Sequence, residues 1–288
     1  MAQTRPPQTK ATDTYLEHFG LEDAPFSTSP NPSYAYANDS MVTALRRMRG
    51  VVTSRSGLGI VDGEVGQGKT TLARSFVSDL ETRGVPVVSL LNVPGGARQS
   101  EAVLLRTVSA ELKLPRVKGD SADGNFNNIS DFAFARNEEG NTTVVVIDDA
   151  HELRRNGIRA VLRLLNLQTI NDQLMNIILF GQAPELLDVL KSDRALHSRL
   201  AARVQLTPLV AGEIAAMIKH RLRIAGRTKP LFTDAAIEAI AEASRGIPRL
   251  ICRIAHYACE LAYEKKLQKV DHEEVAQASK LLASDPSA

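Results

Sequence analysis

The sequence has 288 residues, of which 43% are hydrophobic and 24% charged, as in an ordinary globular protein with room for one large and one smaller domain. Its formal net charge is only +2, so overall charge gives no case for a nucleic-acid-binding protein and any basic surface has to be local. No apolar run approaches the roughly 18 residues that cross a bilayer, which argues against a membrane span. The histidines lack the spacing of zinc ligands, which argues against a zinc site.

The N-terminal region divides into a tail and an arm. Residues 1–14 are polar and lack the hydrophobic segment of a signal peptide, so we expect a disordered tail. Residues 15–40 combine aromatic anchors with three prolines that forbid a long helix, which favours a packed arm. Tyr34 or Tyr36 of this arm is a candidate neighbour of an adenine base. From Ser40 onward, apolar residues recur at helical spacing.

A glycine-rich segment, GEVGQGKT at 63–70, follows a short apolar run and precedes a helical pattern. It fits the phosphate-binding loop, in which glycines let backbone N–H groups turn toward phosphate oxygens. Lys69 would reach the β- and γ-phosphates, and the Thr70 hydroxyl would ligate Mg²⁺. We therefore predict ATP and Mg²⁺ as ligands. The predicted loop contacts are Gly63, Glu64, Val65, Gly66, Gln67, Gly68, Lys69, Thr70 and Thr71.

Strand-like and helix-like segments alternate after this loop. The pattern predicts strands at 85–91, 143–147 and 176–180, helices at 101–114 and 152–168, a loop at 92–99 and a flexible connection at 115–130. Such alternation is typical of an α/β fold with a parallel sheet covered by helices on both faces.

Two acidic residues end the strand at 143–147. Asp148 is positioned to hold Mg²⁺, and Asp149 can polarise the attacking water as a general base. A strand ending in two acids is common, but their position after the phosphate loop favours a role in hydrolysis.

The sequence beyond Pro208 is helical throughout, with amphipathic patterns at about 211–225, 233–244, 248–264 and 271–282. We expect a nucleotide-binding domain with its arm at 15–208 and a helical lid at 209–288. Cys252 and Cys259 are seven residues apart on one predicted helix, too far to form a disulfide, so we expect a reduced, cytoplasmic protein.

Several motifs, taken in order over residues 15–280, resemble the ExeA/GspA-like group of AAA+ ATPases, which is related to transposition ATPases of the TnsC, TniB and MuB type. The matching positions are Tyr15, Phe19, Gly20, Leu21, Pro25 and Phe26, then 63–70, IDDA at 147–150, GQAPEL at 181–186 with one extra residue, HRLRIAG at 220–226 and SRGIPR at 244–249.

The resemblance implies a P-loop NTPase fold of the AAA+ type with a C-terminal lid, and it implies further site residues. Gln182 corresponds to the sensor of the γ-phosphate, and Arg249 to a second, nucleotide-binding sensor on the lid. Arg199 corresponds to an arginine finger that acts on a neighbouring subunit, with Arg203 as the alternative, so a ring or filament of identical subunits is expected. Many relatives have Glu at the position of Asp149, which suggests slow hydrolysis.

Two function classes stay open. The first is a regulator of transposition that binds double-stranded DNA and recruits a transposase. The second is a secretion or pilus-assembly ATPase acting on a protein partner. ExeA-type secretion proteins carry a transmembrane segment and a peptidoglycan-binding region after the ATPase. Neither is seen in this sequence, so we expect a soluble role, although shorter pilus-associated relatives exist. A replication factor of the clamp-loader or initiator type fits the opening and lid motifs less well.

An arginine stripe gives local support for DNA. Arg155, Arg159 and Arg163 recur every four residues on one face of the helix after Asp149, and Arg98 can extend this surface. Such a stripe would contact phosphates without reading bases. The alternative is a solvated helix face that carries salt bridges.

Overall fold

The structure, a computed structural model, describes residues 15–29, 31–90, 92–94, 96 and 99–284. The predicted disordered tail at 1–14 and Arg98 lie outside these residues. The described residues form two compact units. The larger one comprises residues 31–207, and the smaller one combines residues 15–29 with the chain from Pro208 onward. The predicted division grouped residues 15–29 with the sheet, whereas their contacts group them with the C-terminal helices.

The larger unit is built on a five-stranded parallel sheet. Its strands are β1 (Leu58–Gly63), β2 (Val87–Leu90), β3 (Thr143–Ile147), β4 (Met175–Gln182) and β5 (Leu200–Gln205), in the spatial order β2-β3-β4-β1-β5. The predicted α/β class with a parallel sheet is confirmed. Because all strands are parallel, their carboxyl ends lie together at one end of the sheet, where Gly63 is opposite Gln182 and Ile147 is opposite Leu179.

Helices cover both faces of this sheet. In chain order, the α-helices of the described residues are α1 (Tyr15–Phe19), α2 (Asp39–Thr53), α3 (Lys69–Thr82), α4 (Glu101–Glu111), α5 (Ala122–Glu138), α6 (Arg155–Leu165), α7 (Glu185–Ser192), α8 (Arg194–Ser198), α9 (Ala211–Ile224), α10 (Asp234–Ser244), α11 (Pro248–Glu264) and α12 (His272–Ser284). Helices α2 and α3 pack on one face and α4 to α8 on the other. The central strands β1 and β3 are mostly apolar and fully buried because both of their faces are covered.

Two parts of the large unit differ from the prediction. The segment 115–130 was expected to be a flexible connection, but most of it lies in α5. The Ser121 side chain caps this helix at Gly124, and the buried Ile129 and Ala133 pack into the core, so tertiary contacts outweigh the low helix propensity of Gly, Asp and Asn. Strand β5 and helices α7 and α8 were not predicted.

The smaller unit contains the four predicted C-terminal helices, and α9 to α12 confirm them within two residues at each end. The N-terminal arm packs on them: the Tyr15 hydroxyl is 3.2 Å from His256 Nδ1, and the rings of Phe26 and Phe232 meet edge to face. Cys252 and Cys259 are both buried free thiols, as expected. Among the described residues, no helix is long and apolar enough to cross a membrane.

Candidate nucleotide-binding and hydrolysis site

The phosphate loop connects the end of β1 to the start of α3. Gly66 and Gly68 have φ of 83° and 89°, in the left-handed region that glycine adopts without strain. A Cβ on Gly68 would also come within 2.7 Å of Met41 Cε. Gly68 is the residue that precedes α3, so these two glycines turn the chain into the N-terminus of that helix, which favours anions.

Hydrogen bonds hold the loop in shape. The Lys69 ammonium is buried and donates to the carbonyl oxygens of Gly63 at 2.9 Å and Glu64 at 2.6 Å. The Gln67 side chain accepts the N–H of Glu64 at 2.9 Å and lies where a Cβ on Gly63 would be. The predicted contacts therefore form one compact loop, in which Val65 is exposed and Thr71 belongs to the first turn of α3.

Asp148, at the end of β3, is almost fully buried. Its Oδ1 accepts the N–H of Asp149 at 3.0 Å, while its Oδ2 has no hydrogen-bond partner among the described residues. Burial raises the pKa of this carboxyl, and the Thr70 side chain, the Asp149 amide and the Lys69 ammonium lower it in part. A buried carboxylate oxygen without a partner, beside a threonine hydroxyl, fits a Mg²⁺ site completed by phosphate oxygens. The described residues contain no cluster of three acidic, His or Cys ligands, and Mg²⁺ bound with a nucleotide needs none.

Asp149 has an unusual backbone conformation, with φ of 50° and ψ of 35°. Asp and Asn are the side chains best tolerated in this left-handed region apart from glycine, which gives a local reason for Asp rather than Glu at this position. Its side chain is half-buried.

Gln182, at the end of β4, lies opposite Gly63 and thus beside the phosphate loop. Its backbone N–H donates to His151 Nδ1 at 3.4 Å, and its side chain donates to Glu185 at 3.5 Å. His151, two residues after Asp149, was not predicted from the sequence. It links the segment that carries the two acids to the strand that carries Gln182, a contact that no spacing in the chain signals.

Arg203 forms a bidentate ion pair with Asp62, with distances of 2.6 Å and 2.8 Å. Asp62 is fully buried in β1, directly before the phosphate loop, and Arg203 lies on the neighbouring strand β5. Asp62 was missed, although a carboxylate inside an otherwise apolar strand is a signal for a buried partner.

Arg199 lies at the opposite end of the sheet, where the strands begin. It precedes Leu200, which is opposite Leu58 at the start of β1, and its Nη1 donates to the carbonyl oxygen of Leu165 at 2.7 Å. Arg249 is exposed in the first turn of α11, in the smaller unit.

The predicted arginine stripe is only partly available. Arg163 forms ion pairs with Glu101 at 2.8 Å and Asp123 at 2.6 Å, and its guanidinium lies over the Phe126 ring. Its expected role in a DNA-contacting stripe is at odds with these contacts, which hold the guanidinium against α4 and α5. Arg155 and Arg159 are exposed and have no hydrogen bond or ion pair with other described side chains.

Comparisons with known proteins agree with this architecture. Residues 52–190 match the model of the AAA domain. Over 268 residues the chain is 34% identical to the general secretion pathway protein A of Aeromonas hydrophila, covering 92% of the chain but 48% of that relative. The chain thus spans about half the length of the curated relative it matches.

Solved structures show the same fold at low sequence identity. The Drosophila ORC bound to DNA superposes with a TM-score of 0.71 at 16% identity, covering 100% of this chain and 70% of that one. The Thermotoga maritima RuvB Holliday junction branch migration motor gives a TM-score of 0.58 at 18% identity, covering 88% and 74%. At these identities the likeness concerns the fold alone. With its parallel sheet, phosphate loop and matching domain model, the chain has the fold of an AAA P-loop NTPase.

Proposed function

We propose that this protein is a Mg²⁺-dependent ATPase whose active site is completed by a neighbouring copy of the chain. The observation that carries the proposal is the meeting of three strand ends at one end of the sheet, which brings together the phosphate loop, Asp148 and Gln182. Such convergence is what phosphoryl transfer requires, because its catalysis consists mainly of positioning and charge stabilisation.

Each residue has a definite role in this proposal. The loop N–H groups and Lys69 bind the phosphates, and Thr70 and Asp148 hold Mg²⁺, which neutralises charge on the phosphate oxygens. Asp149 accepts a proton from the attacking water as the bond between the γ-phosphorus and the β–γ bridging oxygen breaks. Gln182 orients that water or the γ-phosphate. Arg249 is proposed as the nucleotide-binding sensor that the SRGIPR motif implies.

The arginine finger is assigned to Arg199 rather than Arg203. The Arg203 guanidinium is held by a buried carboxylate, and releasing it would leave the Asp62 charge without a partner. Arg199 instead donates to a single backbone carbonyl, a contact that is given up at lower cost.

A mixing experiment tests the shared site. The Arg199→Ala protein retains the phosphate loop and the proposed general base, whereas the Asp149→Asn protein retains the proposed arginine finger. We expect each alone to hydrolyse ATP at least about a hundredfold more slowly than the original protein, since a general base contributes on the order of 10²–10⁴ and an arginine finger on the order of 10³–10⁵. Their mixture should recover activity. A mixture no faster than the sum of its parts would contradict a site shared between subunits.

The partner is proposed to be a protein in a secretion-type or assembly process. The support is the 34% identity to a general secretion pathway protein along 92% of the chain. A DNA-binding regulator of transposition, which recruits or activates a transposase, is the second candidate. It is favoured by the exposed and unpaired guanidinium groups of Arg155 and Arg159.

A further inference from the structure

A turn between α6 and β4 presents a fully exposed isoleucine. Ile170 is fully exposed, although specific contacts fix the turn around it. The Thr169 hydroxyl accepts the N–H of Asp172 at 2.9 Å and of Asn171 at 3.3 Å, and the Thr169 N–H donates to the Asp172 carbonyl at 2.8 Å. Arg55 braces it through an ion pair of 3.2 Å with Asp172. The exposed isoleucine therefore lies on a turn whose backbone is fixed by specific hydrogen bonds and an ion pair.

The same turn is joined to Arg199. The carbonyl oxygen of Leu165 accepts a hydrogen bond from Gln173 Nε2 at 2.8 Å and from Arg199 Nη1 at 2.7 Å. Gln173 also donates to the Leu167 carbonyl at 3.1 Å, which closes the base of the turn. Two side chains that share one acceptor have fixed relative positions, so the turn and the arginine form one structural element.

This element lies at the amino ends of the strands, away from the phosphate loop. Leu58, at the start of β1, is opposite Ile177 and Leu200, whereas Gly63, at its end, is opposite Gln182. With about 3.3 Å per residue, the six residues of β1 separate the two ends by roughly 16 Å. Arg199 therefore cannot act on the phosphate loop of its own chain, so as the arginine finger of the proposed function it has to act on that of a neighbouring copy.

We propose that the turn at residues 168–173 docks on a second copy of this chain and, through Leu165, sets the position of Arg199 in that copy's nucleotide site. Docking would remove the Ile170 side chain from water, which favours association. The inference rests on the proposed function and adds to it a docking contact and a positioning residue, Gln173. The second copy is the occupant because the turn is continuous with the group that acts across the subunit boundary.

The test introduces Ile170→Asp into either the Asp149→Asn protein or the Arg199→Ala protein before the two are mixed. On the Asp149→Asn chain, which supplies Arg199, it should lower the recovered ATPase rate at least about tenfold, the effect of losing a well-buried interface contact. On the Arg199→Ala chain, whose own turn faces no productive site, the rate should stay within about twofold. Leu281→Asp, a similar change at a 51% exposed leucine, is the matched control on the supplying chain.

The outcomes separate the two proposals. If the unmodified pair recovers activity but Ile170→Asp acts equally from both chains, or from neither, the docking contact is overturned and the shared site stands. If the unmodified pair does not recover activity, both are overturned. A Gln173→Ala change on the supplying chain gives a second measurement: it should lower kcat of the mixture and leave the KM for ATP unchanged.

Discussion

At the scale of a single residue, Asp149 separates nucleotide binding from hydrolysis. Asp149→Asn keeps the side-chain size and the tolerance for a positive φ but removes the base, so we expect hydrolysis to fall by roughly 10²–10⁴ with little change in ATP affinity. Phosphate release and the binding of a fluorescent ATP analogue measure the two effects. Asp148→Asn is the contrasting variant, because it should weaken Mg²⁺-dependent binding. An Asp149→Asn protein that still hydrolyses ATP would assign the base to another group.

The residues of the phosphate loop were predictable from the sequence because a local motif specifies them. Asp148 and Asp149 were predictable because they follow a predicted strand of the parallel sheet, whereas Gln182, at the end of another strand, was indicated by the family resemblance. The partners of Asp62 and Arg163 were not predictable, because they come from separate elements that only the tertiary structure brings together. Whether an arginine is available for a ligand is decided by these contacts and not by its spacing.

At the scale of secondary-structure elements, the Asp62–Arg203 ion pair links β1 to the edge strand β5. Arg203→Ala would leave the buried Asp62 carboxylate without its partner, and we expect a loss of about 2 kcal/mol in the free energy of unfolding, discounted because Arg203 is partly exposed. Chemical denaturation measures this loss, with Arg194→Ala as an exposed control. Replacing both partners, as Asp62→Val with Arg203→Leu, should restore much of the stability. Equal effects of the single and double changes would argue against the ion pair as the cause.

Strand β5 escaped prediction because it is only partly buried and its charged Arg203 interrupts the apolar pattern. Helix α5 escaped because its composition favours a loop while its contacts favour a helix. The four C-terminal helices, whose apolar residues recur regularly along each segment, were predicted almost to their ends. Elements with a strong hydrophobic period are thus recognisable in the sequence, and those that depend on neighbouring elements are not.

Helix α12 provides a stability prediction that depends on pH. Glu274, in its first turn, accepts from Lys265 Nζ at 2.8 Å and from the Asp271 N–H at 3.2 Å. Burial raises the pKa of the Glu274 carboxyl, but these hydrogen bonds outweigh it and leave the pKa below its usual 4.5. A lowered folded-state pKa contributes stability above the unfolded pKa, and that contribution disappears as the pH falls through the folded value.

The Glu274→Gln variant should therefore be less stable than the original protein at neutral pH, by about 1 kcal/mol. The difference should shrink as the pH falls below about 4.5. Thermal unfolding across this range measures it, and Glu273→Gln, at an exposed neighbour, is the control. A difference that stays constant with pH would mean that the carboxylate charge is not what stabilises the start of this helix.

At the scale of the whole molecule, a net charge of +2 gives no general attraction to DNA, so duplex binding would have to come from a local surface. Arg155 and Arg159 are the exposed members of the predicted stripe, and in an ATP-bound assembly they would be repeated in every subunit. Replacing both with alanine should weaken duplex binding in the presence of a non-hydrolysable ATP analogue. It should also flatten the dependence of affinity on salt, because each lost phosphate contact removes about 0.9 from the logarithmic slope.

The control has the same net charge: Arg194→Ala with Arg223→Ala removes two exposed arginines elsewhere. Fluorescence anisotropy of a labelled duplex over a salt series compares the two double variants with Arg163→Ala. Since Arg163 is held by Glu101 and Asp123, its replacement should leave the salt slope unchanged. If only the Arg155/Arg159 variant loses affinity and slope, the transposition-type function gains a DNA surface. If the original protein binds no duplex with the analogue present, the arginines are solvated surface groups and the secretion-type function with a protein partner is favoured.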